Sequence, residues 1–500
     1  MSSTDQSPSG RCVVVGAGLA GLAAADVMVS EGWQTTLIDP VGRAGGVIET
    51  IREDGWLIER SADSFLTSKP EAVELVERLG LGADVLPLRP TSRRALVLGR
   101  GELYPVPAGF RLMAPGQLAS ILRSPLLSPL AKLRVCLERF VPASTADDES
   151  LESFAIRRLG REAYERLVQP LVSGIWTADP TKLSMAAALP DFLSMEKQAG
   201  SLRTGELKRL KSVDRNEGTA GARYGQFVTL ASGLDTLPRR WCEHLQQRGL
   251  SCLQARVDRV DHVDTYRVQL APTPTERSAD TGFAQPGASL LEADTLIVST
   301  PATPAAALLQ QVCPALSAEL GSIAYAGSAI VSLGFPREAV RHPLNAAGLV
   351  IPRQEGRSIL AISFSSSKFP GRAPEGHVLM RVFLGGALDP QAATLNDETL
   401  SERAIGEVAD LLGVTGTPSL IRVARWEGAM PQYHLGHRER VARIRQLVEG
   451  IPGCGVAGAA LNGVGIPQVI ASGRESARQA ITSSSCRLLP RALPSPSSSS

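Results

Sequence analysis

The residues best placed to do chemistry stand near the start of the chain. They are Gly16-Ala17-Gly18-Leu19-Ala20-Gly21 and Asp39, the acid lying about twenty positions beyond the turn. In this pattern the first glycine permits a tight turn. The second lets backbone approach a pyrophosphate, and the third lets helix and strand pack closely. A helix starting at the turn aims free N–H groups and its positive dipole end at phosphate. Asp39 can accept hydrogen bonds from both ribose hydroxyls. The spacing demands a strand before the turn, which Val13 to Val15 supply. It demands a helix to about Ser30 and a second strand, Thr35 to Ile38, that delivers the acid. The unit is a Rossmann-type βαβ for a dinucleotide.

Arg43-Ala44-Gly45-Gly46 follows the acid directly. A second glycine pair there suits FAD better than NAD, because the longer flavin nucleotide passes a second backbone segment. Arg43 can offset pyrophosphate charge. Little else suggests ligand or nucleophile chemistry. The seven cysteines (Cys12, Cys136, Cys242, Cys252, Cys313, Cys454, Cys486) contain no C-x-x-C, which fits a reducing compartment without disulfides or zinc. His434 and His437 form the one close histidine pair, read as a polar loop rather than a metal site.

With 500 residues, two or more domains are expected. Lys+Arg 52 against Asp+Glu 50 gives +2, so no nucleic-acid partner is implied. The apolar run Cys12 to Ala25 lacks a basic leader, and cleavage within it would destroy the glycine turn, so it is not read as a signal peptide. Asp26 ends it well short of a bilayer span.

Along the chain, Pro70 to Leu79 reads as a helix closed by Gly80, and residues 93–107 as a hairpin turning at Gly99-Arg100-Gly101. Residues 108–226 form a helical subdomain, Leu- and Arg-rich, able to lie on a membrane surface or to pack internally. Nucleotide-domain pattern returns at 227–310, with paired strands Arg256 to Val260 and Tyr266 to Leu270 and a loop over 271–289, and again at 438–482. The expected architecture is α/β. A discontinuous FAD domain (11–92, 227–310, 438–482) encloses an α+β, mixed-sheet substrate domain (93–107, 311–437), with disordered tails at 1–10 and 483–500.

Three further stretches carry a family resemblance. They are Ser173-Gly174 through Asp179-Pro180 to Leu183-Ser184, then Phe369-Pro370-Gly371-Arg372-Ala373-Pro374 followed by Phe383-Leu384-Gly385-Gly386, and Ala457-Gly458 through Gly463-Val464-Gly465-Ile466-Pro467. With the glycine turn they make the chain resemble the FAD-dependent protoporphyrinogen oxidases, within the amine oxidase and phytoene desaturase superfamily, over roughly Val13 to Gln479.

The resemblance implies that Gly16, Ala17, Gly18, Leu19, Ala20, Gly21, Asp39 (where the family usually has Glu), Arg43, Gly45, Gly46, Val257, Val464, Gly465 and Ile466 contact FAD. It implies that Arg94, beside Arg93, pairs with a porphyrinogen propionate. The Gly174 carbonyl faces the macrocycle, and Val350 and Phe383 sandwich pyrrole rings. Ser363 lines the same site where the family has a more apolar residue. Residues 59–65 depart most, with Ser61-Ala62-Asp63 in place of a Gly-Pro pair.

The implied reaction is a six-electron oxidation of protoporphyrinogen IX to protoporphyrin IX in three flavin cycles. The flavin carries the redox chemistry, and no catalytic side chain or metal is expected. Molecular oxygen is the expected acceptor, giving hydrogen peroxide, with a quinone as alternative. Coproporphyrinogen III oxidation, amine oxidation and carotenoid desaturation on the same fold are the competing activities. A non-enzymatic flavin or tetrapyrrole carrier is the competing class. The resemblance further implies a cytoplasmic enzyme, peripheral on the inner membrane face, with hand-off to a ferrochelatase. Monomer and homodimer stay open.

Overall fold

The computed structural model describes residues 9–212, 227–271 and 282–488. The expected disorder of the first eight residues and of 489–500 lies outside them, as does most of the 271–289 loop. A five-stranded parallel sheet gathers distant pieces of chain in the order Ser251–Gln254, β2 (Gln34–Asp39), β1 (Arg11–Val15), Thr295–Val298 and Cys454–Val456. Alternation along β1 divides its neighbours. Cys12 and Val14 join a core with the helices Leu19–Ser30, Pro70–Arg78, Thr236–Gln246 and Ile466–Leu488. Val13 and Val15 face a core built with the antiparallel strands Arg256–His262, Tyr266–Ala271 and Leu290–Ala293.

The second sheet has seven strands, in the order Leu420–Pro431, Tyr325–Pro336, His377–Gly385, Ala361–Ser363, Gly348–Val350, Leu96–Gly99 and Glu102–Pro105. One face, carrying Ala329, Val331, Leu333, Met380, Val382 and Leu384, is covered by the helix Asp397–Leu412. The opposite face meets the nucleotide-binding half at Arg381 and Trp426, which donate to carbonyls of residues 59–61, and meets the helical part at Val97 and Val350. The final hairpin turns through Arg100 and Gly101, both at positive φ (55° and 80°), the turn that matches strand twist.

Helices between Leu118 and Ser212 surround a core of their own. At its edge Arg158, fully buried, pairs with Glu138 and Glu196.

Two expected boundaries shift. The helix Pro314–Gly321 packs Leu316 and Leu320 into the nucleotide-binding core, so the substrate half resumes only at Tyr325. The last helix runs on through Ser483 to Leu488 rather than fraying at 483. Ser483 Oγ accepts from Gly453 N at 3.1 Å and Ser484 Oγ bonds Thr295 Oγ1 at 3.1 Å, contacts that outweigh the weak helix preference of serine.

Candidate active site

The glycine turn sits between β1 and the helix Leu19–Ser30, whose first turn has no side-chain cap. Gly16 adopts φ +105° against Ser299. A Cβ on Gly21 would lie 1.8 Å from the Gly16 carbonyl oxygen, so only glycine fits there. A Cβ on Gly18 would meet nothing within 4 Å: backbone is exposed to open space where a pyrophosphate must approach. Ala17, Leu19 and Ala20 are buried and hold the turn from beneath. Gly45 N donates to Ala17 O at 2.8 Å, and a Cβ on Gly46 would come 3.2 Å from Gly18 Cα. The second glycine pair thus lies directly beside the first.

Asp39 accepts from Ala17 N and Val41 N, each at 2.9 Å. Burial raises its carboxyl above the ordinary value, and these two amides together with Arg43 oppose the rise. Arg43 itself is engaged by its own loop, donating to Gly46 O, Ile48 O and Glu49. The geometry makes it a loop brace, because three acceptors of its own segment surround the guanidinium. Val257 buries its side chain; Ala255 N donates to Asp39 O, which sets this backbone beside the acid.

Val464 and Gly465 lead into the last helix at Ile466. Gly463 N donates to Tyr433 Oη at 2.6 Å, and Gln468 folds over Gly463 and Gly465 with a buried Oε1 that has no partner among the described residues. Further along, a Cβ on Gly473 would fall 2.1 Å from Ala20 O, so this helix presses on the first turn of the nucleotide helix. Seven residues, roughly 10 Å of helix axis, separate that contact from Ile466. The cradle is therefore long, as an extended FAD requires.

Pairing registers define the substrate floor. One rung crosses the whole second sheet: Ala424, Ile330, Phe383, Ala361, Val350, Val97, Tyr104. Two residues along, on the same face, runs a polar rung: Arg422, Ser332, Arg381, Ser363, Gly348. The structure thus brings Phe383 and Val350 onto one apolar row and Ser363 onto the neighbouring polar one. Gly174, exposed on the helix Gln169–Trp176, stands over this floor; its absent Cβ would lie 3.8 Å from Val350 Cγ1.

Arg94 does not join this group. It is exposed, and its Nε donates to Asn345 O at 2.8 Å. Arg93 is partly buried, with a buried Nε that meets no acceptor among the described residues. The 3-10 turn Pro90–Ser92 immediately precedes the pair.

Sequence reasoning missed a charged cluster at the junction of the two halves. Asp63 lies 2.5 Å from Lys368 Nζ and 3.1 Å from Arg381 Nη2. Lys368 also donates to Ser363 Oγ at 3.3 Å. Arg381 donates to the carbonyls of Glu59 and Ser61 and sits 5.4 Å over the Phe383 ring. Burial alone would raise the Asp63 carboxyl, but Lys368 and Arg381 drive it well below the usual carboxylate range. Burial lowers Lys368. The departure of residues 59–65 from the family pattern was the available signal. Arg372 of the Phe369–Pro374 motif is structural: it bonds Thr229 Oγ1 and the carbonyls of Leu230 and Ala231.

His437 stacks on Tyr433 at 4.0 Å and is pushed down to about 4 by burial. No group of three or more His, Cys, Asp or Glu able to hold a metal occurs among the described residues.

The glycine cradle, the acid and the facing sheet define an FAD-dependent oxidoreductase. The sequence profile of the flavin containing amine oxidoreductases matches residues 19–481, and the chain belongs to that family. It is 33% identical over 479 residues to the coproporphyrinogen III oxidase of Bacillus subtilis (strain 168), covering 94% of this chain and 97% of that one. It is 32% identical to the enzyme of the same name from Propionibacterium freudenreichii subsp. freudenreichii, covering 94% and 90%. Among solved structures, an Exiguobacterium sp. 255-15 protein provisionally named a protoporphyrinogen oxidase superposes with a TM-score of 0.80 at 27% identity, covering 95% of this chain and 99% of that one.

Proposed function

We propose that this protein oxidises coproporphyrinogen III to coproporphyrin III, with molecular oxygen as acceptor and hydrogen peroxide as by-product. The observation that carries the reading is the apolar rung from Ile330 through Phe383 and Ala361 to Val350, which runs under Gly174 of the helical part. A tetrapyrrole macrocycle needs such an apolar floor, with cations at its margin for carboxylates. FAD, when bound, supplies the redox chemistry by accepting hydride from a bridging methylene carbon, once in each of three cycles. The chain's residues do the rest. Phe383 and Val350 support the ring faces, Gly174 leaves room above them, and Arg93 meets a propionate. The 33% and 32% identical relatives favour the four-carboxylate substrate over the expected protoporphyrinogen IX, which is the second reading and is favoured by the Exiguobacterium match.

Aerobic mixing of the purified flavoprotein with each porphyrinogen, followed by porphyrin fluorescence, tests this. Faster turnover of coproporphyrinogen supports the proposal. Preference for protoporphyrinogen moves it to the second reading, and no turnover of either removes both.

A peripheral contact with an anionic lipid surface belongs to the same proposal. Leu130, Leu133, Leu137 and Phe140 recur at helical spacing and are 44–80% exposed. Arg123, Lys132 and Arg139 flank them. Residues 118–137 contain no acid, and Glu138 is buried against Arg158. No helix among the described residues is long and apolar enough to cross a membrane.

A further inference from the structure

The cysteines are scattered in sequence, yet the fold brings two of them into contact. Cys242 lies on the helix Thr236–Gln246 and Cys252 on the edge strand Ser251–Gln254, joined by a four-residue turn. Their sulfurs are 3.7 Å apart, and both residues are buried, at 4% and 5% exposure. We infer that Cys242 and Cys252 are a peroxide-responsive thiol pair that closes to a disulfide inside the nucleotide-binding half.

Closing the bond from 3.7 Å asks for roughly 1.6 Å of approach, since a disulfide spans about 2.05 Å. An edge strand can supply that movement. Ser251–Gln254 pairs with β2 on one side. On its other side lies a short cover, where Ala284 N donates to Cys252 O at 2.9 Å and Gln246 Nε2 donates to Gly282 O at 2.6 Å. Opening this cover admits a small oxidant without unfolding the sheet.

Across this contact either sulfur can donate to the other. One of the two, as the thiolate, attacks hydrogen peroxide, breaking the O–O bond and forming a sulfenic acid; the leaving hydroxide takes up the proton that the thiol lost, and water is released. The other thiol then attacks that sulfur, the S–S bond forms, and a second water leaves. In sum, two thiols and one peroxide give one disulfide and two waters. If the oxygen-linked turnover proposed above holds, the protein makes this oxidant itself; the pair's chemistry does not depend on it.

The test exposes the flavoprotein to a few equivalents of hydrogen peroxide, then unfolds it with alkylating agent and digests it with trypsin. Cleavage after Arg248 separates the two cysteines, so a disulfide appears as two joined peptides, lighter by two hydrogens than the reduced pair and released by dithiothreitol. Replacing either cysteine alone, Cys242→Ser or Cys252→Ser, removes the resolving thiol, so dimedone should trap a sulfenic acid on the remaining cysteine in at least one of the two variants. Full alkylation of both thiols after treatment overturns the inference, as does separate conversion of each to sulfinic acid. Because peroxide is added, failure here leaves the porphyrinogen assay unaffected, and the reverse also holds.

Discussion

Asp63 and Lys368, 305 residues apart in the chain, meet at 2.5 Å where the cofactor half abuts the substrate floor. Arg381 completes the cluster and overlies Phe383. The charges are unequal, with two cations against one carboxylate, and this makes substitutions asymmetric. Asp63→Asn strands Lys368 in a buried site, leaves Arg381 held mainly by the Glu59 and Ser61 carbonyls, and should cost about 3–5 kcal/mol. Lys368→Met leaves Asp63 with Arg381 and should cost distinctly less. Urea unfolding of the two variants checks this, and equal losses would contradict the geometry. The pH sign follows from the depressed Asp63 carboxyl. Its contribution is fully present above the unfolded value of about 3.9 and is lost as pH falls through the lower folded value. The stability gap between wild type and Asp63→Asn should therefore narrow below about pH 4.

The glycine turn was readable from sequence because its physics is local: each glycine answers a constraint set within a few residues or by the adjoining helix. Asp39 followed from the same spacing. Phe383, Val350 and Ser363 came from resemblance, and strand alternation then explains why all three share one face. The Asp63–Lys368 pair was signalled only by the departure of residues 59–65 from the family pattern; its partner could not be read, since it is set by the docking of two halves. Arg93 and Arg94 could not be told apart, because they are neighbours of one residue type and differ only in burial, which the folded structure decides. Arg43 looked free to meet phosphate, and only the folded loop shows the carbonyls that engage it.

Gly21 and Gly18 separate packing from ligand binding. Gly21→Ala places a methyl against the Gly16 carbonyl and should lower the melting temperature of the flavin-free protein. Gly18→Ala points into open space, so flavin-free stability should hold within about 1 kcal/mol while FAD affinity falls at least about tenfold. Thermal melts and FAD fluorescence titration read the two effects. Equal FAD affinity in Gly18→Ala and wild type would refute the cradle.

Gly174→Ala offers a clean probe of the floor. The site is helical, and the new methyl meets only Val350 at 3.8 Å, so stability should hold or rise by up to about 1 kcal/mol. The same methyl narrows the slot above the apolar rung. The porphyrinogen KM should rise several-fold with little change in bound FAD. An unchanged KM would move the macrocycle elsewhere.

The arginines distinguish the two porphyrinogens. Arg94 is exposed and held by Asn345 O, so Arg94→Met should leave kcat/KM within about twofold. Arg93 carries a buried Nε with no acceptor among the described residues, four positions before Val97 of the apolar rung. Arg93→Met removes a charge-assisted contact, worth roughly 1.5–3 kcal/mol, and kcat/KM should fall about tenfold or more. The loss should appear for both substrates, since each carries propionates. A tetracarboxylate keeps further anions for other cations, so its loss should be the smaller. Steady-state kinetics of both variants on both porphyrinogens decides the matter. A larger effect at Arg94 than at Arg93 would restore the assignment that the sequence alone suggested.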